Sequence, residues 1–484
     1  MNKPTRLICL VVLLFTTVFM GAAQTASAPA HRTGRTLPAT PAVCSDCIRA
    51  HMEFLASDAL RGRGSATPDE LVAASYIASQ LMQYGIEPAG DNGTFLQRVP
   101  LVRRSFRIPP QLRFASGGEE VTWKHGLNFL ALHVGQAELS GPLQKIRMGA
   151  EPLNVQKGAF VFLTASPDRN QPDKNDARSA LRAGAAAVII PVSQYQRKHW
   201  QDTGEELFLG RLELANPSGT EANDKSTILM LDDESTKTIA AVPDGTTIRL
   251  ISPMDNPQQA ATWNVLGQLK SRTATENHAV VLSAHLDHLG VGVAVNGDSI
   301  YNGADDDASG TTAVLELARV LTTRRRPTRT VIIALFGSEE LGDLGSEYFL
   351  QHSPLPLDSI GVNLNFEMIG RPDPAVGEDT LWMTGWSRSN LGPELVSHGA
   401  KLVADPHPEQ HFFRRSDNYA LAEQGVVAQT ISSFGLHPDY HQPSDDLAHI
   451  DFKHMDESIS SLIKPILWLI NSNFTPEWND GEQP

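Results

Sequence analysis

The stretch Val331–Leu344, VIIALFGSEELGDL, constrains this chain more than any other. Val331 to Phe336 is an unbroken apolar run, the pattern of a strand buried on both faces. Such a strand needs cover on both sides, which a lone sheet facing water does not supply. Gly337 ends the run, and Glu339 and Glu340 follow at once. Neighbouring residues at a strand end point in different directions. Two adjacent carboxylates there suit two separate tasks, one on a metal and one on a water. An isolated Glu-Glu pair is ordinarily a solvated loop, so the reading turns on the company this pair keeps.

Four further runs read as strands: Val280–Ala284, Val362–Phe366, Leu381–Thr384 and Val426–Ile431. Between the first two such strands lies Ser309–Thr322, with apolar residues Val314, Leu317, Ala318 and Leu321 at helical spacing. A last helix is expected near Met455–Leu469, kinked by Pro465. Strands separated by helices predict an α/β fold with a mainly parallel central sheet flanked by helices. In sheets of that kind, ligands bind outside the carboxyl ends of the strands.

The chain has 484 residues, too many for one ordinary core. The spacing predicts a signal peptide at 1–28 and a linker at 29–44. A first part of the α/β domain follows at 45–95, then an inserted, largely β domain at 96–258, a second part of the α/β domain at 259–475 and a tail at 476–484. Lys3 and Arg6 precede the apolar run Leu7–Met20, and Ala26-Ser27-Ala28 supplies small residues for cleavage. The expected product is exported, periplasmic or secreted, with no membrane partner after cleavage. Its net charge moves from −15 to −17 as Lys3 and Arg6 leave. That balance excludes general nucleic-acid binding, which needs basic patches. Cys44 and Cys47 are read as a small disulfide. Thr67-Pro68-Asp69-Glu70 has the cap and first-turn chemistry of a helix start, and Gly85 ends that helix. The arginines around Arg61-Gly62-Arg63-Gly64 are read as solvated or structural.

Chemistry concentrates just past the strand ends. His285, Asp287 and His288 follow the strand at Val280. Asp305-Asp306-Asp307 precedes the helix at Ser309. Glu339 and Glu340 follow Phe336, Glu367 follows Phe366, and His437, Asp439, Tyr440 and His441 follow Ile431. Each alone has a bland reading as a cap, turn or core residue. Together they would form a pack of repelling carboxylates, and bound cations remove that repulsion. Nitrogen plus carboxylate donors suit zinc, with cobalt or manganese as substitutes.

These motifs resemble the co-catalytic di-zinc aminopeptidase family, which includes secreted bacterial leucyl-type aminopeptidases. The matching stretches are Ser283–His288, Gly303–Gly310, Ser338–Gly342, Asn365–Gly370 and Asp439–Asp445, with Phe54–Asp58 and Gly62-Arg63-Gly64 at the start. The insert resembles a protease-associated domain, chiefly through Gly158–Thr164 and Ala177–Ile190. The resemblance implies a metal set of His285, Asp306, Glu340, Glu367 and His441 holding two zinc ions. Asp306 bridges; His285 and Glu367 complete one metal, Glu340 and His441 the other. It implies Glu339 as general base acting on a metal-bridging hydroxide, Asp287 as the carboxylate orienting His285, and a cis peptide after Asp306. Tyr440 is either an oxyanion donor or a packing residue. His288 and His437 are read as supporting or structural. The implied substrates are peptides with a free N-terminus.

Two departures from the family pattern stand out. Glu367 replaces the usual Asp, and Asn418 follows Ser416-Asp417 where His is frequent. The first keeps a carboxypeptidase or dipeptidase of the same group open. Readings from other classes are a receptor-like protein without catalysis and a single-zinc glutaminyl-cyclase-like acyltransferase.

Overall fold

The structure is a computed structural model describing residues 43–484, except 149–153, 166–171, 173, 216–225 and 274–277. The expected signal peptide and nearly all of the linker lie outside the described residues.

The apolar runs form the middle of a ten-stranded sheet. Its central strands, Val331–Phe336, Ala279–His285, Ile360–Phe366 and Val427–Ser432, are hydrogen-bonded in that order and all parallel. Leu381–Met383 and Leu402–Ala404 extend one side. On the other side the sheet turns antiparallel through Gln258–Leu269, Leu96–Arg103 and Leu212–Leu214. The last two lie within the 96–258 span, so that span contributes strands to the central sheet.

The unbroken apolar runs follow from double-sided burial. Val331, Ile333 and Leu335 face a core built with helices Ser45–Leu55, Pro68–Tyr84, Gly310–Thr322 and Phe452–Leu469. Ile332, Ala334 and Phe336 face the opposite core, with Phe349 and Leu421. Each of the Val, Ile, Leu and Phe side chains among them is worth about 1.5–3 kcal/mol when fully buried. Local chemistry agrees with packing. The Thr67 side chain caps the helix at Pro68 by accepting from Glu70 N, and Gly85 closes it in the left-handed region at φ 78. The final helix runs through Pro465 without a break in its assignment.

A second, eight-stranded sheet takes Gln111–Ser116, Glu119–Lys124, Phe129–Val134, Glu138–Arg147, Phe160–Thr164, Ala187–Pro191, Thr227–Leu231 and Thr247–Ile251. It has cores of its own, around Phe160 and Phe162 on one face and Val161 and Leu163 on the other. Cys44 and Cys47 are disulfide-bonded.

Candidate metal centre

Register puts the expected residues on one rim. Ser283 pairs with Ala334 on one side and Asn365 on the other, and Asn365 pairs with Thr430. The four parallel strands therefore end level. His285 is the last residue of its strand, Glu367 is the first beyond its own, and Glu339 and Glu340 lie in the turn after Phe336. Non-glycine residues with left-handed backbone mark the exits: Ser338 at φ 54, Met368 at φ 52 and His441 at φ 57. Such conformations cost about 1–3 kcal/mol and persist where surrounding structure fixes them.

Asp306 is at the centre and is buried. Its Oδ1 is 3.1 Å from His285 Nε2, and its Oδ2 is 3.1 Å from His441 Nε2. Glu340 Oε2 is 3.2 Å from the same His441 nitrogen. Asp306 thus divides its two oxygens between two imidazoles. The peptide between Asp306 and Asp307 is cis.

The flanking aspartates do other work. Asp307 accepts from the backbone N–H of His285, Gly310 and Met368, tying a strand end, a helix start and the residue after Glu367. Asp305 accepts from Gly370 N at 2.7 Å and is met by His437 Nε2 at 3.0 Å. Asp445 accepts from the N–H of Asp305 and Asp306, and Arg371 joins Asp445 to Asp439.

Asp287 lies 3.7 Å from His285 Nδ1, too far for a hydrogen bond. Its bonds run elsewhere: it accepts from Ser65 Oγ and from the backbone N–H of Glu339 and Glu340. The Glu-Glu turn therefore hangs from Asp287. Glu70, fully buried, bonds Thr262 and Ala66 N beside the same turn. Arg63 is also buried and donates to the carbonyls of Leu55, Leu286, Asn302 and Gly303. Ser65, Glu70 and Arg63 were invisible as site residues in the sequence. The available signal was the tight Gly62-Arg63-Gly64 turn, where a Cβ on Gly62 would meet Tyr301 O at 2.3 Å.

Electrostatics divide the acids. Burial pushes Glu339 well up, with Asp343, Glu340 and Glu367 adding to the push against His285. Burial also raises Glu367 to about 7, aided by Asp306 and Glu340 and opposed by His285. Glu340 moves the other way, to about 2; burial and Asp306 oppose this, but contacts with His288 and His441 outweigh them. His441 rises to about 10, because its close contacts with Asp306 and Glu340 outweigh burial. Tyr440 stacks on His441 with ring centroids 3.9 Å apart. Burial first, then Asp306, Glu340 and Glu367, raises its hydroxyl, which stays protonated. Beside Glu367 and Tyr440 is a narrow pocket lined by Met368, Trp382, Phe412 and Phe434, with Arg415 on its wall.

The donor set fits divalent cations. His285 Nε2 and His441 Nε2, the nitrogens that face Asp306, are buried with no hydrogen-bond partner. Two ligands on a tetrahedral zinc with bonds near 2.0–2.1 Å stand about 3.3 Å apart. The three contacts of 3.1, 3.1 and 3.2 Å match that spacing.

Residues 264–464 match the profile of Peptidase family M28. An aminopeptidase of Bacillus subtilis, YwaD, is 26% identical over 207 residues, 40% of this chain and 42% of that protein. Leupeptin-inactivating enzyme 1 of Streptomyces exfoliatus is 34% identical over 211 residues, 40% of this chain and 46% of its own. The chain thus matches less than half the length of these relatives. The solved aminopeptidase from Aneurinibacillus sp. strain AM-1 shares the fold. Its TM-score is 0.52 at 18% identity, over 89% of this chain and 94% of that one. No helix among the described residues is long and apolar enough to cross a membrane.

Proposed function

We propose, from the premise that residues 264–464 belong to peptidase family M28, that this chain is an exported exopeptidase holding two zinc ions and removing N-terminal residues from peptides. The observation carrying this reading is the division of Asp306 between His285 and His441. His285, Asp306 and Glu367 would hold one cation; Asp306, Glu340 and His441 would hold the other. Zinc at these positions supplies a Lewis acid for the scissile carbonyl and acidifies an attacking water.

The chain's own groups supply the rest. Glu339 takes the proton of the attacking water and returns it to the leaving amine. Asp287 fixes that base by holding the backbone N–H of Glu339 and Glu340. Tyr440 keeps its proton and can donate to the oxyanion. The eight-stranded sheet within residues 96–258 is a protease-associated-like insert, and residues 1–28 direct export.

The test is metal content together with hydrolysis of aminoacyl arylamides, with and without chelator. Two zincs per chain and chelator-sensitive release of the arylamine are expected. Two zincs without amidase activity on any peptide would defeat the proposal. Because Glu367 stands where relatives commonly carry Asp, blocked peptides belong in the panel. C-terminal cleavage of N-acetylated substrates, with free-amine peptides untouched, would make it a carboxypeptidase.

A further inference from the structure

His288 is a buried imidazole at the rim to which the reaction scheme gives no task. It is fully inaccessible to solvent. Its backbone is pinned on both sides, donating to Arg63 O and accepting from Ser65 N. Its ring lies against Gly303, where a Cβ would come within 2.5 Å of the ring. The ring is therefore held in one place by backbone, not by a mobile neighbour.

Its Nδ1 lies 2.7 Å from Glu340 Oε1. The other Glu340 oxygen, Oε2, faces His441 Nε2, which also faces Asp306. One carboxylate oxygen is thus occupied by His288 and the other is turned to the cation position. His288, Asp306 and Glu340 also offer donor atoms within 4.8 Å of one another, so His288 could be counted as a ligand itself. The spacing argues against that. Co-ligands on tetrahedral zinc stand about 3.3 Å apart, as the other three contacts nearly do, and 2.7 Å is too short. It is the length of a charge-assisted N–H···O bond, and Nδ1 is 3.9 Å from Asp306 Oδ2.

We propose that His288 is a positioning residue: its Nδ1–H clamps Glu340 Oε1, so that Oε2 alone is presented to the cation, and His288 is not a ligand. The inference rests on the two-zinc reading above. It assigns a task to the fourth residue of the His285–His288 stretch, beyond ligand His285 and carboxylate Asp287.

The test uses three variants of the full chain: His288→Ala, His288→Asn and His288→Gln. Asn places an amide N–H near the position of Nδ1, whereas Gln reaches toward Nε2. Zinc alone is the probe, titrated against a chromogenic chelator to give both dissociation constants. Melting of the metal-free proteins reports folding, and kcat and KM are measured at saturating zinc. His288→Ala and His288→Gln should weaken one of the two zincs by about 10–100-fold, the usual loss for an outer hydrogen-bond partner, and leave the other unchanged. His288→Asn should restore wild-type affinity, and kcat should fall in the Ala variant with little change in KM. Wild-type affinity for both zincs in His288→Ala overturns the clamp. So does His288→Asn binding as poorly as His288→Ala while melting like the metal-free wild type. A wild-type chain holding fewer than two zincs would take down the functional reading itself, and the clamp with it.

Discussion

Removing the fork of Arg63 should loosen the centre without touching any ligand. Arg63→Met keeps the apolar stem and deletes the guanidinium. The side chain donates to four carbonyl oxygens, at 3.0 Å to Leu286, 2.6 Å to Leu55, 2.7 Å to Asn302 and 3.0 Å to Gly303. Each buried acceptor left bare costs about 1–3 kcal/mol. Simple addition over four overstates the loss, because carbonyls keep a second lone pair and water enters the gap. Asp287, Asp306, Asp307 and Asp445 also lose a compensating cation. A destabilisation of about 3–5 kcal/mol is expected, the range for stripping one partner from a buried charged network. Arg63→Lys brings at most three donors to four acceptors, so it should fall between wild type and Met. The assay is urea unfolding of chelator-treated protein at neutral pH, where bound metal cannot mask the effect. A Met variant within about 1 kcal/mol of wild type, below the cost of one bared acceptor, would show that these bonds do not hold the site together.

Other outcomes are open to measurement. Glu339→Gln should keep both metals and lose roughly 10²–10⁴-fold in turnover, as expected for a removed proton carrier; metal content and kcat check this, and retained turnover would remove Glu339 from the base role. Chelation should destabilise the protein, and zinc at a thousandfold over its dissociation constant should restore about 4 kcal/mol for each site filled, read as a rise in the melting midpoint. His51 sits between the hydroxyls of Tyr76 and Tyr84, and burial, then Arg319, lowers its pKa from 6.5 to about 4. A depressed folded pKa stabilises above pH 6.5 and is lost as pH falls toward 4, worth at most roughly 3 kcal/mol. His51→Gln should flatten the stability profile in that window, and an unchanged slope would reject the assignment.

Much of the centre could be read in advance because its residues follow strand ends, and strands buried on both faces are plain in a sequence. Val331–Phe336 announced both the sheet and the place where Glu339 and Glu340 would emerge. The run Asp305-Asp306-Asp307 announced a cluster, and the family resemblance picked out Asp306. What periodicity could not show was how the outer two are spent on backbone N–H groups. The antiparallel flank of the sheet was hidden for a similar reason. Leu96–Arg103 and Leu212–Leu214 alternate like any half-buried strand, and nothing local says which of two sheets they join. Arg63 was hardest to read: an arginine in a glycine turn reads equally as solvated or structural, and only the distant carbonyls that converge on it decide for the second. The same holds for Ser65 and Glu70, whose partners are about two hundred residues away in sequence.

The bond from Ser65 to Asp287 and the bonds from Asp445 to Asp305 and Asp306 come from opposite ends of the described chain. Neither half can finish the centre, because each end braces groups carried by the middle. A polypeptide still being synthesised therefore lacks one of these two braces until the segment around Asp445 arrives. A cut that frees either brace should loosen the centre from that side.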